Sequence, residues 1–110
     1  MNPCEKRKFQ ICPKFEKTFE ILGKKWNGLI IDVLLEDGPQ RFVELANKIP
    51  EVSDRVLVER LKELEEKQVV IRKEHPTEKK RIDYSLTKKG QALRPVMLEI
   101  QKWGEDWLTV

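Results

Sequence analysis

The chain has 110 residues, 39% of them hydrophobic, which fits one folded unit around one core. Its 22 basic and 19 acidic residues leave a net charge of +3, so any nucleic-acid face has to be a local patch on a surface of mixed charge. The longest apolar run, residues 28–35, is broken by Asp32 and is far shorter than the roughly 20 residues that span a bilayer; no membrane association is expected.

We read residues 1–110 as a single domain whose residues 1–11 form a flexible N-terminal segment. Lys6, Arg7 and Lys8 in that segment are followed by no apolar stretch, so it does not read as a secretory signal, and a cytoplasmic protein is expected. Cys4 and Cys12 lie close together near one end, unlike the cysteines of a disulfide-stapled domain, and in a reducing compartment are expected as thiols.

The first helix is predicted to start at Cys12 and Pro13 and to end at Gly23, because proline suits a first helical turn and Phe15, Phe19 and Leu22 recur at helical spacing. A second, residues 25–36, carries Trp26, Leu29, Ile30, Val33 and Leu34 on a broad apolar face, stops at Asp37, Gly38 and Pro39, and reads as the central core helix. Arg41 and Phe42 lead into a short helix over 43–49, with Phe42, Leu45, Ala46 and Ile49 on one face, halted by Pro50. Ser53 is a good N-cap for a fourth helix reaching about residue 67, whose core stripe is Val56, Leu57, Leu61 and Leu64.

Segments 69–74 and 81–86 follow, the second alternating Ile82, Tyr84 and Leu86 with polar residues, and together they predict a β-hairpin with a charged tip. Thr87 caps a last helix in which Leu93, Val96, Met97, Ile100, Trp103 and Trp107 form an apolar stripe too long for this chain to bury alone, so a partner chain is expected to cover part of it. The fold class is therefore α+β, mainly α: a winged helix-turn-helix flanked by N- and C-terminal helices suited to dimerisation.

A helix fits the major groove of duplex DNA and a thin hairpin tip reaches the adjacent minor groove or the phosphates. Outside the core stripe, the fourth helix offers Ser53, Asp54, Arg55, Glu59, Arg60 and Lys62, with Arg55 the best candidate for a base edge and Ser53 for a phosphate; Arg41 joins this set. Residues 73–81 carry Lys73, Lys79, Lys80 and Arg81 against Glu74 and Glu78. Taken alone, Lys79, Lys80 and Arg81 equally describe a solvated hairpin tip, and Arg55 and Arg60 equally describe helix charges pairing with Glu59, Glu63 or Glu51. Their position within and directly after a helix-turn-helix favours DNA.

Catalysis is not expected, because the single histidine, His75, sits beside Pro76 at the hairpin tip with no poised partner. Cys4, Cys12 and His75 lack the close spacings of a zinc centre, and neither a metal nor a cofactor is expected. Two rival readings are a winged-helix protein-interaction module, which would show a weaker salt dependence than DNA binding, and a regulator answering to a non-covalent small ligand.

The chain resembles the HxlR-type winged-helix regulators, within the MarR-like group, from Cys12 to Trp107. The matching pattern runs through Cys12-Pro13, Leu22-Gly23-Lys24-Lys25-Trp26, Gly38-Pro39, Arg41-Phe42, Glu44-Leu45, Ser53, Leu57, Leu61-Lys62-Glu63-Leu64-Glu65, Tyr84-Ser85-Leu86-Thr87 and Gly90. The resemblance implies a homodimer built from the first and last helices, with Phe15, Phe19, Val96, Ile100, Trp103 and Trp107 at its interface, bound to a pseudo-palindromic operator, usually as a repressor.

The Cys-Pro motif is most similar to the YodB-type branch, which senses quinones, diamide and other thiol-reactive electrophiles, and this makes Cys12 the candidate redox sensor, with Cys4 a candidate resolving thiol. A cysteine at a helix N-terminus near Lys14 has surroundings that favour its thiolate, although an inert packed cysteine fits the residue type as well. Some relatives of this branch link the N-terminal cysteine to one in the partner's last helix; residues 88–110 contain no cysteine, so that link is impossible here. Alkylation of Cys12, a mixed disulfide, a Cys12 to Cys12 link across the dimer, or pairing with Cys4 remain.

Overall fold

The computed structural model describes residues 12–110; the N-terminal segment 1–11, with Cys4, lies outside the described residues. Helix α1, Pro13–Leu22, begins as its residues dictate: Cys12 is the N-cap, its Sγ 3.5 Å from the Phe15 amide, and Gly23 closes the helix by donating its N–H to the Phe19 carbonyl at 2.8 Å. Helix α2, Asn27–Asp37, starts two residues later than predicted, because Lys24, Lys25 and Trp26 form a tight corner in which Trp26 has φ +80°. It ends at Gly38, whose φ of +74° suits glycine.

Helix α3, Phe42–Lys48, is opened by the Glu44 carboxylate, which accepts from the Arg41 amide at 2.7 Å. Helix α4, Asp54–Glu66, is capped by Ser53, whose Oγ accepts from the Val56 amide at 3.2 Å. Strands β1, Val70–Glu74, and β2, Ile82–Leu86, pair antiparallel with Val70 opposite Leu86 and Arg72 opposite Tyr84. Gln40 adds a one-residue bridge to β2 through two backbone hydrogen bonds with Tyr84, of 2.9 and 2.7 Å, and so ties the loop before α3 to the hairpin.

The predicted last helix is broken in two: α5, Lys88–Gln91, and α6, Arg94–Trp107. Pro95 stands in the first turn of α6; it has no N–H to give to the carbonyl four residues back, and its ring would strike that carbonyl in a continuous helix. Thr87 still caps the first piece, accepting from the Gly90 amide at 3.1 Å. Gly90 is obligatory here, since a Cβ on it would run into the Val69 carbonyl oxygen.

One core joins these elements. Helix α2 is its centre, touching α1, α3, α6 and β2. It buries Ile30, Ile31, Leu34 and Leu35, while Leu29, expected inside, is exposed. Around it pack Leu45, Ile49, Leu57, Leu61, Leu64, Val69, Val70, Leu86 and Met97. The stripe of the last helix divides: Met97 is buried and Leu93 packs against the core, but Val96, Ile100, Trp103 and Trp107 stay exposed, at 40% to 73%. The radius of gyration, 15.8 Å, exceeds the roughly 13 Å of a compact unit this long. Among the described residues, no helix is long and apolar enough to cross a membrane.

Candidate nucleic-acid interface and cysteine site

Burial of Leu57, Leu61 and Leu64 fixes the rotation of α4, and this leaves Asp54, Arg55, Glu59 and Lys62 exposed. Val58 stands among them, 44% exposed, a residue that the core stripe excludes and charge-based reasoning overlooks. An apolar side chain there suits contact with a thymine methyl, as Arg55 suits a guanine edge. Ser53 combines its capping role with an exposed position at the start of the helix.

Arg60 is placed differently from its neighbours. Its side chain is only 17% exposed; Nε donates to the Lys25 carbonyl at 3.1 Å and Nη1 to Glu63 Oε1 at 3.1 Å. The pairing with Glu63 that its i, i+3 spacing allows is the arrangement present, and the guanidinium is turned to the corner before α2.

The hairpin tip is organised from within. His75 Nδ1 accepts from the amides of Thr77 and Glu78 at 3.2 and 3.1 Å, and the His75 amide donates to the Arg81 carbonyl at 2.7 Å. The role of His75 is thus to shape the loop. Arg81 is engaged twice, by Asp83 at 3.0 Å and Glu78 at 3.2 Å, and these hydrogen bonds raise its affinity for its proton. Lys79 and Lys80 are exposed and, among the described residues, form no ion pair.

Arg41 shares a groove with Lys79, Lys80 and Arg81, bounded by Phe42 and Val43 of α3. The Glu44 carboxyl beside it is held below the usual carboxylate range, first by the Arg41 amide and then by the charges of Arg41 and Arg81. A second groove, between α4 and the hairpin, is lined by Val58, Lys62, Glu65, Arg72 and Tyr84. Arg72 was absent from the sequence-based set; only the strand register, which pairs it with Tyr84, brings it to α4. Three elements therefore converge: the start of α3, the outer face of α4, and the hairpin.

Cys12 lies apart from this surface, at the N-cap of α1. It is 2% exposed and is disulfide-bonded, in contrast to the expected thiol. Its burial therefore belongs to the disulfide state. One turn on, the Phe15 and Phe19 rings meet in a tilted arrangement, with centroids 4.9 Å apart and planes at 58°, both more than half exposed. Among the described residues no group of His, Cys, Asp and Glu is arranged to hold a metal ion.

A helix-turn-helix followed by a β-hairpin, with basic side chains on both, defines a winged helix-turn-helix regulator. Residues 21–110 match the model of the family described as HxlR-like helix-turn-helix, and the chain belongs to that family of transcriptional regulators, which bind DNA and are not enzymes. It is 48% identical over 97 residues to the HTH-type transcriptional regulator YodB of Bacillus subtilis, covering 88% of this chain and 86% of that one. The reduced form of YodB superposes with a TM-score of 0.79 at 47% identity, covering 90% of this chain and 96% of that chain. Quinone-bound YodB gives 0.76 at 47% identity over 88% of this chain and all of that one.

Proposed function

We propose that the chain is a homodimeric repressor that holds a pseudo-palindromic operator and releases it when Cys12 is oxidised or alkylated by a quinone or a similar electrophile. In this reading α4 enters the major groove with Arg55, Val58, Glu59 and Lys62 toward the bases, while Ser53, Arg41, Arg72, Lys79 and Lys80 hold phosphates. Residues 1–110 act as one domain, and the cytoplasm is the compartment in which such a thiol is kept ready.

The observation that carries the sensing part is the position of Cys12: it caps the same helix that presents Phe15 and Phe19. Those rings on α1, and Val96, Ile100, Trp103 and Trp107 on α6, are exposed apolar side chains that a second copy would cover. Chemistry at the sulfur therefore acts on a helix that sets the spacing of the two α4 helices in a dimer. The unpaired amides of a first helical turn favour negative charge on a capping sulfur, and the thiolate is the nucleophile. That a quinone-bound form of the similar YodB exists supports the same chemistry here.

Two routes conserve atoms and electrons. A Cys12 thiolate adds to a quinone ring carbon, forming an S–C bond; that carbon gives up its hydrogen as a proton, one further proton comes from solvent, and both ring oxygens become hydroxyls of a hydroquinone thioether. Alternatively, Cys12 and a second thiol lose two electrons and two protons to diamide, which becomes the hydrazine, and a disulfide forms. Cys4 is the other cysteine of the chain and the candidate resolving thiol.

A reporter fused to the region upstream of the chain's own coding sequence tests the reading in cells. Silencing by the wild type, relief by a quinone, and persistent silencing in Cys12→Ser are expected. Relief that is equally strong in Cys12→Ser would point to a non-covalent ligand and sink the thiol part; no effect on any promoter would favour a protein-interaction module.

A further inference from the structure

The corner between α1 and α2 is bound to α4 by a polar cluster that the DNA-facing surface does not use. The Glu63 carboxylate bridges two cations: Oε2 accepts from Lys24 Nζ at 2.6 Å and Oε1 from Arg60 Nη1 at 3.1 Å. Arg60 in turn donates from Nε to the Lys25 carbonyl at 3.1 Å. Just past the end of α4, its C-cap Lys67 stands 3.9 Å from Glu20 of α1. The hydrogen bond from Lys24, and then the charges of Lys24 and Arg60, hold the Glu63 carboxyl below its ordinary range.

The corner itself is strained and incompletely satisfied. Trp26 has φ +80°, which a bulky residue adopts only when its surroundings hold it there, and Lys25 Nζ lies 4.8 Å from the centre of its ring. Asn27 is 2% exposed; its Nδ2 donates to the Ile21 carbonyl at 2.8 Å, but its Oδ1 has no partner among the described residues. It borders a cavity of about 20 Å³, shared with Glu20, Glu63 and Lys67, which has room for one water.

Beyond this corner, among the described residues, α1 buries none of its own side chains: Ile21 and Leu22, at its last turn, pack against the core, and its N-cap Cys12 is buried. It is a rod about 15 Å long at the usual helical rise, with Cys12 at one end and the corner at the other. A displacement of the Cys12 end would have to be taken up at the corner, whose hydrogen bonds end on α4.

We infer that Glu63 is a positioning residue: by gripping Lys24 and Arg60 it couples the α1–α2 corner to the recognition helix and transmits the state of Cys12 to the DNA-reading face. The inference rests on the thiol-switch reading proposed above. Two discrete arrangements of α1, each with its own corner geometry, are what coupling of this kind requires.

The test compares the full chain as wild type, Glu63→Gln, Lys24→Gln and Lys24→Arg. Each is titrated against one duplex, selected from a random pool by the reduced wild type, before and after oxidation by diamide. Wild type should bind more weakly after oxidation, by a factor within about 5 to 150. Glu63→Gln and Lys24→Gln should keep the reduced-state affinity but lose most of that factor, and Lys24→Arg should retain it. A full redox factor in both Gln variants would overturn the inference, as would a drop in reduced-state affinity matching the lost factor, which would make Glu63 merely structural. Should the wild-type factor be one, the thiol reading itself fails and the inference goes with it. Lys24→Gln, at an exposed corner residue, keeps the test decisive if Glu63→Gln folds poorly.

Discussion

Helices α4 and α6 are nearly equal in length, 13 and 14 residues, and both are amphipathic, yet they spend their apolar faces differently. Helix α4 buries Leu57, Leu61 and Leu64 in the chain's own core and turns charged side chains outward. Helix α6 buries Met97 and leaves Val96, Ile100, Trp103 and Trp107 exposed. The charged outer face of α4 suits phosphates and base edges, whereas the uncovered aromatic face of α6 suits a second protein surface. Which side chains a helix keeps outside, more than its amphipathicity, tells the two roles apart.

Leu61→Ala should break the α4 side of this contrast most severely. Loss of a fully buried leucine costs about 2 to 5 kcal/mol of folding stability, readable by urea unfolding. Trp103→Ala should leave the fold intact but weaken self-association by about 2 kcal/mol or more, roughly 30-fold, in sedimentation equilibrium; an unchanged dimer would remove α6 from the interface.

Within α4 and the hairpin a finer split is expected. Arg55→Ala should cost about 1 to 3 kcal/mol on the selected duplex and relax base preference. Lys79→Ala should weaken all DNA evenly and flatten the salt slope by about 0.9.

The smallest effect concerns Glu63. Its carboxyl is held below its ordinary value of 4.5, so the stability that it contributes is present above that pH and is lost as pH falls through the lowered value. The carboxylate is about a third exposed, and pairs of this kind contribute about 0 to 1 kcal/mol. The gap between wild type and Glu63→Gln in thermal melts should thus be small at neutral pH and close in acid.

The order of elements was legible in the sequence because caps and periodicities are local. Ser53 and Thr87 stand at the helix starts where their side chains predict them, and α1 starts where Pro13 predicts it. The break before α6 was written in Pro95, but the continuous stripe of Leu93, Val96 and Met97 masked it. Ile31 and Leu35 were missed on α2 because it is enclosed by α1, α3, α6 and β2, so burial does not follow one face.

The surface was legible only in part. Arg55 and Arg60 read alike in sequence, yet Arg60 is captured by a carbonyl 35 positions away, a contact no local pattern announces. Arg81 likewise reads as a DNA residue while it braces the hairpin through Asp83 and Glu78. Val58 and Arg72 became visible only when core packing and strand register fixed which way α4 and β1 face.

The central claim is that Cys12 governs DNA release. Fluorescence anisotropy of the selected duplex, titrated with wild type and Cys12→Ser before and after one equivalent of a quinone, tests it most directly when paired with intact-mass measurement of the protein. The account predicts a single quinone adduct and weakened binding in wild type, with neither in Cys12→Ser. A wild-type adduct on Cys12 that leaves affinity unchanged would contradict it.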